Sequence, residues 1–554
     1  MIIVEYILLT LFSIASLIFI KNSHYRWTYL FAISLFLFFF GLVLTFTSQW
    51  QRALNFANLS FIILMLFHRL KIHYYKQPLL ISDFILAFDP RNWETLLHYK
   101  SAIVAILGLL GLFIYAIIGF SSVASLGLIG HSLGVIIVLI SFGVMFHYSK
   151  HPDAIRVWLD SLPDDGRDVF LNLPMSARGV FFHVPKIEGN GEKFQQLMAT
   201  VEAYPLKSEK PDMVIWLHES TVDPQMFSFQ SSHIPVLSMY QTQQDCVLHN
   251  LLRVHTFGGA TWKSEFAFLS GIPSTDFGAM ASSVFYSVAP HTRYSLLKVL
   301  KQEGYYCVAL SPFTKGNYNA QQAYDCFGFD LFLQPQDLGY PAPISKNLWH
   351  IESSDMAKYV QMILEKQHPR LVNIDQPLFV YVLTMREHGP YHAHTENLYQ
   401  IEDDHFSAHD IGLINDYIQR LVKLDVCMEQ FNCYLQQRGK PYLLGYFGDH
   451  QPNFEQKKVK YQSVLNQFEY PEYITQFTLR ANYQTNPIQI NGVLDIAQLG
   501  GVLLEVAGLK ADPFFKANIA MRKLGGGLQE SDTKDQALLR DYQHYLYQQL
   551  EIVR

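Results

Sequence analysis

Acidic and imidazole side chains follow two strand-like runs of the sequence. Glu219 comes after the apolar run MVIWL (213–217), and Asp449 and His450 follow the run YLLGYF (442–447). Carboxylate oxygens and imidazole nitrogens are common ligands of zinc and manganese in proteins. The simpler interpretations are a capped helix start after Glu219 and an ordinary Asp-His turn. Taken together, the two positions predict a site for one divalent cation.

A threonine and a group of histidines could supply the reacting groups. Thr261 lies in FGGATWKSEFAFLSGIPS (257–274), where two glycines make a tight turn before a helix-like stretch. A hydroxyl there meets backbone N–H groups that favour a phosphate, although a plain helix cap is the alternative interpretation. A third strand-like run is followed by three histidines within seven residues, His388, His392 and His394. These suit substrate oxygens or a second metal, or else form an exposed loop.

Short apolar runs alternate with helical patterns from Pro211 onwards. The runs lie at 213–217, 305–310, 377–385 and 442–447, and the helical patterns at 294–304, 411–439 and 494–509. Runs that are apolar at every position are typical of strands buried on both faces of a sheet. We therefore predict an α/β domain over residues 206–554, with a central, mostly parallel sheet covered by helices. Ligands bind beyond the carboxyl ends of such strands, which is where the candidate residues lie.

Residues 1–149 form a predicted transmembrane domain. Only 16% of the chain is charged, whereas soluble domains carry roughly 25%. Five apolar stretches suit a bilayer core, at 1–20, 27–47, 53–67, 101–120 and 124–146. Residues 150–205 mix short apolar groups with charge, Gly and Pro, which predicts an amphipathic linker along the membrane.

Two polar features interrupt this membrane domain. The segment 77–100, with Asp83 and Trp93, is too polar to span a bilayer and too apolar for a free loop. It predicts an interfacial or re-entrant helix. His131 lies inside the last apolar stretch, where we expect it to face neighbouring helices and to bond to a backbone carbonyl.

Composition excludes two further classes of protein. The net charge is −6 and the pI is about 6.4, which argues against a nucleic-acid partner because such proteins usually carry a basic stripe. Five cysteines in 554 residues do not make a disulfide scaffold. Because the sequence contains no C-x-x-C pair, a zinc site built from thiolates is not expected either.

The chemistry-bearing residues occur in a recognisable order: a Glu after the first strand, a Thr in a Gly-rich turn, a His loop and an Asp-His pair. With the predicted spans and linker before it, this order resembles the alkaline phosphatase superfamily. Within that superfamily it is similar to the membrane-anchored lipoteichoic acid synthases and phosphoglycerol transferases, with the phosphoethanolamine transferases as relatives. The resemblance covers nearly the whole chain. It implies that one Mn²⁺ or Zn²⁺ is bound by Glu219, Thr261, Asp449 and His450.

The resemblance also implies a reaction. A metal-bound Thr261 would attack the phosphate of a phospholipid donor, release diacylglycerol and keep the phosphoalcohol until an acceptor hydroxyl removes it. The acceptor would be a glycan or glycolipid of the cell envelope. His388 would contact the phosphate or protonate the leaving group. Sulfatase chemistry in this superfamily needs a C/S-x-P-x-R motif, which none of the five cysteines fits.

One stretch departs from the family pattern. Lipoteichoic acid synthases hold phosphoglycerol with an aromatic residue followed two positions on by an arginine. Here Tyr318 keeps the aromatic, but Ala320 stands at the arginine position. Lys315 could supply the charge from the other side of the turn, and His392 is a further substrate-binding candidate. Phosphoglycerol is the first expectation, phosphoethanolamine is the alternative, and a non-enzymatic membrane protein is the third possibility.

The family resemblance places the catalytic domain on the extracytoplasmic side of the bacterial cytoplasmic membrane. Loop charges favour the opposite orientation. With five spans and a cytoplasmic N-terminus, the outward loops contain seven basic residues: Lys21, Arg26, Arg69, Lys71, Lys76, Arg91 and Lys100. Because long domains translocate largely regardless of flanking charge, the extracytoplasmic location stays the expectation.

Overall fold

The structure is a computed structural model of the whole chain. It describes residues 26–75, 78–90, 125–151 and 169–177, and residues 182–554 with short gaps at 232, 394–399, 455–458 and 491, besides scattered positions between 11 and 114. The chain divides into two compact units, Met1–Phe181 and Phe182–Arg554. This boundary falls inside the predicted linker, so its residues from Phe182 onwards belong to the second unit.

Apolar helices build the described part of the first unit. They are α1 (Arg26–Thr47), α2 (Trp50–Tyr75), α3 (Ile81–Phe88), α4 (Gly127–Tyr148) and α5 (Val169–Ser176). Three stretches are long and apolar enough to cross a membrane, Trp27–Thr47, Trp50–Ile72 and Gly127–Tyr148. They confirm three of the predicted spans. The stretches 1–20 and 101–120 lie largely outside the described residues, so the total of five stays a prediction.

Glycines allow α1 and α4 to pack closely. A Cβ at Gly134 would lie 2.4 Å from the backbone nitrogen of Thr45, so only glycine fits this contact. At the same contact, His131 Nδ1 lies 2.6 Å from the carbonyl oxygen of Thr45. Because a carbonyl oxygen only accepts, Nδ1 carries the hydrogen. The expectation that His131 bonds to a backbone carbonyl inside the helix bundle is confirmed.

We expect Gly134→Leu to force α1 and α4 apart, because the neighbouring backbone leaves no room for a side chain. The cost should be about 1–3 kcal/mol, as for other overpacked contacts, and it is measured as a lower melting temperature of the protein in detergent. Gly143→Leu on the same helix is the matched control, since a Cβ there has no neighbour within 4 Å among the described residues. Equal melting temperatures for the two variants would contradict this packing.

Part of the predicted interfacial segment is helical. Asp83 in the first turn of α3 forms an ion pair with Lys71 of α2, at 2.6 Å. The backbone N–H of Ile81 donates to Ser176 Oγ of α5 at 2.9 Å, which ties the start of α3 to that helix. Trp93, the other residue named in the predicted interfacial segment, lies outside the described residues.

An eight-stranded sheet forms the centre of the second unit. Its strands are β1 (Asp212–His218), β2 (Cys246–Arg253), β3 (Tyr306–Leu310), β4 (Leu331–Leu333), β5 (Leu378–Thr384), β6 (Tyr442–Gly448), β7 (Ile474–Ala481) and β8 (Leu494–Asp495). Their order across the sheet is β4-β3-β5-β1-β6-β7-β2-β8. Among these described strands only β7 runs against the others. All four apolar runs predicted as strands are strands, and they include the central ones.

Helices cover both faces of this sheet. They are α6 (Gly191–Ala199), α7 (Thr261–Ser270), α8 (Val284–Ser287), α9 (Leu296–Gln302), α10 (Ala320–Phe327), α11 (Ser353–Leu364), α12 (Ala408–Gln437), α13 (Ser463–Asn466), α14 (Leu499–Ala507), α15 (Pro513–Leu524) and α16 (Gln536–His544). Along β1, Met213, Ile215 and Leu217 join one buried cluster, and Val214 and Trp216 join the other. Both faces of β1 are therefore buried, which explains why residues 213–217 are all apolar. The predicted fold class, apolar helices followed by an α/β domain with a mostly parallel sheet, is confirmed.

Candidate metal and nucleophile site

The central parallel strands bring their carboxyl ends to one edge of the sheet. β1 lies between β5 and β6, so that His218 is in register with Thr384 and with Gly448. A Cβ at Gly448 would lie 1.9 Å from the carbonyl oxygen of Thr221, so only glycine lets the segments after β1 and β6 approach each other. This close approach places Glu219 beside Asp449 and His450.

The backbone around Glu219 and Asp449 is held by hydrogen bonds and by one unusual torsion angle. Ser220 has a φ of 58°, in the left-handed region that residues other than glycine rarely adopt. Its backbone N–H donates to Asp449 Oδ1 at 2.8 Å. The hydroxyl of Ser264 in α7 donates to the carbonyl oxygen of Asp449 at 2.6 Å. Strain of this kind is typical of functional sites, where neighbouring bonds maintain it.

The Gly-rich turn places Thr261 at the first position of α7. Thr256 Oγ1 donates to the carbonyl oxygen of Gly259 at 2.5 Å and closes the turn. Ala260, directly before the helix, has a φ of 63°. The Thr261 side chain is buried, and its Oγ1 donates to Glu219 Oε1 at 2.5 Å. The predicted nucleophile and the predicted ligand therefore touch.

Three buried atoms of the candidate ligands have no hydrogen-bond partner among the described residues. Glu219 Oε2, Asp449 Oδ2 and His450 Nε2 are buried, and each lacks a hydrogen bond within the described part of the chain. His450 Nε2 lies 3.2 Å from Glu219 Oε2 and 3.3 Å from Asp449 Oδ2. Ligands about 2.0–2.1 Å from a tetrahedral zinc ion are about 3.3 Å apart. The spacing and the chemistry of these atoms therefore fit a divalent cation.

Two histidines present a suitable nitrogen to the same place. His450 Nδ1 lies 2.9 Å from the carbonyl oxygen of Gln451, and His388 Nδ1 lies 2.6 Å from that of Gly389. Since a carbonyl cannot donate, each Nδ1 carries hydrogen, and Nε2 is the nitrogen that can bind a cation or accept a proton. Ligand atoms of Glu219, His388 and His450 all lie within 4.8 Å of one another.

Burial makes the carboxyl groups of the site hard to ionise without a cation. It raises the pKa of Glu219 to about 8 and that of Asp449 well above its usual value, and for Asp449 the charge of Glu219 adds to the effect. Burial also raises the pKa of Glu265 in α7 to about 8. Burial lowers the pKa of His218 to about 3, so this histidine is neutral at physiological pH. A bound divalent cation would offset the charge of the ligands Glu219 and Asp449.

The structure brings some of the other predicted residues to the site and leaves others apart. The Tyr318 ring packs 5.2 Å from that of Trp262, the residue after Thr261. Burial and the nearby carboxylates raise the pKa of Tyr318 well above its usual value. Lys315 instead forms an ion pair with Asp337 at 3.3 Å. His392 is exposed and does not belong to the group of Glu219, His388 and His450, whose ligand atoms lie within 4.8 Å of one another. The remaining candidate, His394, lies outside the described residues.

Sequence reasoning missed two groups near the nucleophile, the half-buried Trp262 and the buried Glu265. Trp262 presents its ring to Tyr318, and Glu265 accepts hydrogen bonds from Tyr324 and Tyr381, the latter at 3.2 Å. The helix-cap interpretation of residues 257–274 gives Glu265 no role at the site. Its position one turn after Thr261 on α7 could have flagged it, because residues four apart share a helix face.

Comparison with known proteins identifies the class. The family model named Sulfatase matches residues 211–489, which include Glu219, Thr261, His388, Asp449 and His450. The match covers half of the chain, and the chain belongs to this family. The expected sulfatase-like domain is confirmed by this match.

Individual relatives extend the comparison. An uncharacterized protein of Haemophilus influenzae is 59% identical over 558 residues, covering 100% of both chains. A putative cyclic beta-1,2-glucan modification protein of Rhizobium meliloti is 25% identical over 254 residues, which cover 44% of this chain and 36% of that protein. Among solved structures, the phosphoglycerol transferase GacH of Streptococcus pyogenes, in complex with sn-glycerol-1-phosphate, aligns with a TM-score of 0.52 and 19% identity. That alignment covers 66% of this chain and 95% of GacH and shows a shared fold.

Proposed function

We propose that the protein is a metal-dependent transferase that moves a phosphoalcohol head group from a membrane phospholipid to a glycan or glycolipid acceptor. The observation that carries the proposal is that His450 Nε2 lies 3.2 Å from Glu219 Oε2 and 3.3 Å from Asp449 Oδ2, all three without a hydrogen-bond partner in the described chain. The Thr261 hydroxyl is bonded to the same glutamate. These four residues would hold one Mn²⁺ or Zn²⁺. When bound, the cation favours the deprotonated hydroxyl and offsets charge on the phosphate oxygens.

The residues of the chain divide the reaction into two displacements. The first displacement starts from Thr261 with its oxygen deprotonated and His388 with both ring nitrogens protonated. Thr261 Oγ1 bonds to phosphorus, the bond from phosphorus to the diacylglycerol oxygen breaks, and His388 gives that oxygen its Nε2 proton. In the second, His388 takes the proton of an acceptor hydroxyl, whose oxygen bonds to phosphorus and frees Thr261. The buried position of Thr261 keeps water away while the head group is covalently held.

Phosphoglycerol is the first candidate for the head group. GacH, which shares the fold, is a phosphoglycerol transferase. Tyr318, the aromatic residue that the family resemblance assigns to the head group, packs beside Trp262, the residue after Thr261. The name of the Rhizobium meliloti relative supports a glycan acceptor.

Phosphoethanolamine is the second candidate. Ala320 replaces the arginine of the family pattern, and Lys315, the nearby cation that could replace it, is paired with Asp337. The pairing leaves the anionic glycerophosphate without the partner that the sequence suggested. A head group with its own ammonium has less need of that partner.

Intact-mass analysis tests the reaction and the head group together. The full chain in detergent is incubated with phosphatidylglycerol or phosphatidylethanolamine and either Mn²⁺ or Zn²⁺. We expect a covalent adduct that maps to Thr261 and is absent from Thr261→Ala. Its mass identifies the head group. A protein that binds the cation but forms no adduct with either lipid would contradict the transferase proposal.

We further propose that the second unit lies on the extracytoplasmic side of the cytoplasmic membrane, where envelope acceptors are found. A reporter enzyme that is active only outside the cytoplasm, fused after Arg554, should be active in whole cells. A second reporter that is active only in the cytoplasm should be silent at the same position. The reverse pattern would contradict both the location and the access to envelope acceptors.

A further inference from the structure

A buried ion pair on α12 lies behind the loop that carries His388. Asp416 and Arg420 are one turn apart on this helix, with the guanidinium Nη2 2.7 Å from Asp416 Oδ2. Both side chains are almost completely buried, at 9% and 5% exposure. An ion pair with so little access to water pays a desolvation cost unless it makes further hydrogen bonds.

Those further bonds all go to the His388 loop. Arg420 Nη1 donates to the carbonyl oxygens of Arg386 and His388, at 3.2 and 2.7 Å, and Nη2 donates to that of Pro390 at 3.1 Å. One guanidinium thus binds three alternate carbonyls of the segment on both sides of His388. A planar fork of N–H donors can do this, whereas a single ammonium cannot reproduce the geometry.

The carboxylate and a tyrosine complete the support. Asp416 Oδ2, which pairs with Arg420, also accepts the backbone N–H of His392 at 2.9 Å. The guanidinium lies over the ring of Tyr391, 5.1 Å from its centre, and the Tyr391 hydroxyl donates to the carbonyl oxygen of Glu387 at 3.1 Å. The backbone from residue 386 to residue 392 is therefore attached to α12 at several points.

We propose that Arg420 and Asp416 are positioning residues for His388, which set the place of its ring relative to Glu219 and His450. The inference rests on the proposed function, in which His388 moves the proton. Arg420 itself touches the loop backbone in the structure and acts through it. Without the guanidinium, three carbonyls would lose a charged donor. A displacement of about 1 Å in a reacting group can cost about 10²-fold in rate.

The chain offers a matched control on the same helix. Arg438 follows the last turn of α12, is 6% exposed and pairs with Asp212 at 3.0 Å. Asp212 begins β1, at the end of the strand opposite to Glu219. Arg438→Gln therefore removes a similarly buried arginine, which also pairs with Glu365, at the C-terminal end of α12 and away from the His388 loop. Arg420→Gln removes the arginine that contacts this loop.

The experiment compares the full-length variants in detergent by two measurements. Hydrogen exchange followed by mass spectrometry reports the backbone amides of residues 386–392. Initial rates of adduct formation at Thr261, over a range of lipid concentrations, separate kcat from KM. We expect Arg420→Gln to exchange faster in this segment and to lose about 10–100-fold in kcat, with KM changed less than about twofold. Arg420→Lys should lie between it and the wild type, because it keeps the charge and loses the fork.

Arg438→Gln should lower the melting temperature as much as Arg420→Gln does, yet keep wild-type exchange at 386–392 and wild-type kcat. Unchanged exchange in Arg420→Gln, or an equal loss of kcat in the two variants, would overturn the proposal. An increase in KM alone would also overturn it, since it would place Arg420 in lipid binding. If the wild type forms no adduct, the proposed function fails, and the exchange comparison still decides whether Arg420 holds the loop.

Discussion

Thr261→Ala is expected to reduce head-group transfer by about 10⁴-fold or more, the scale on which an enzyme loses activity without its nucleophile. The hydroxyl is the group that would form the bond to phosphorus. Among the described residues, no other hydroxyl donates a hydrogen bond to Glu219 Oε1. Thr261→Ser should keep a measurable part of the activity, because it retains the oxygen on a more mobile side chain. The measurement is the initial rate of release of diacylglycerol from a labelled phospholipid.

Ser270→Ala provides the control for loss of a buried hydroxyl from the same helix. Ser270 is fully buried at the far end of α7, and its hydroxyl donates to the carbonyl oxygen of Phe266. We expect this variant to retain wild-type rates. Transfer by Thr261→Ala at a rate close to that of the wild type would show that water or the acceptor attacks the lipid directly, without a covalent step.

The second large effect concerns the stability of the folded protein, whose dependence on pH should reverse when a metal ion binds. The folded-state pKa of Glu219 is raised from 4.5 to about 8, and that of Asp449 is raised as well. For a carboxyl group with a raised pKa, the folded metal-free protein holds protons that the unfolded chain releases. The resulting stability is fully present below the unfolded pKa and is lost as the pH rises through about 8. Glu219 alone should lower the free energy of unfolding by on the order of 3 kcal/mol between pH 5 and pH 8.

A bound cation should reverse this trend. Metal binding requires the deprotonated carboxylates, so the stabilisation by metal grows over the same pH range. Thermal melts of the full chain, with chelator and with excess Mn²⁺ or Zn²⁺, should therefore diverge as the pH rises from 5 to 8. The melting temperature should fall with pH in chelator, and the difference between the two conditions should be largest at pH 8.

Two variants separate metal binding from burial alone. Glu219→Gln should remove most of the response to metal, because it replaces a ligand. Glu265→Gln should weaken the pH dependence in chelator, because the pKa of Glu265 is also raised to about 8, and it should keep the response to metal. Identical melting curves with chelator and with metal at every pH would contradict a cation site at Glu219.

The sequence alone was enough to predict four strands of the sheet, β1, β3, β5 and β6, and three candidate ligands of the site. β1 and β6 are buried on both faces and are apolar at almost every position, so they are visible in the sequence as uninterrupted runs. Glu219 and Asp449 are the first acidic residues after those runs, and parallel strands bring their ends together. Strands with a mixed pattern escaped prediction, as β2 did, because six of its eight positions are only partly buried and include polar residues.

Tertiary structure decided which partners the other charged side chains have. Lys315 was a plausible phosphate partner until its pairing with Asp337 was visible. Arg420 lies 32 positions from the His388 carbonyl that it binds, and only the packing of α12 against the sheet brings them together. A local pattern reports burial and periodicity, whereas a hydrogen bond between distant segments depends on the path of the whole chain. The candidate ligands could therefore be named from the sequence, whereas the hydrogen bonds from Arg420 to the His388 loop could not.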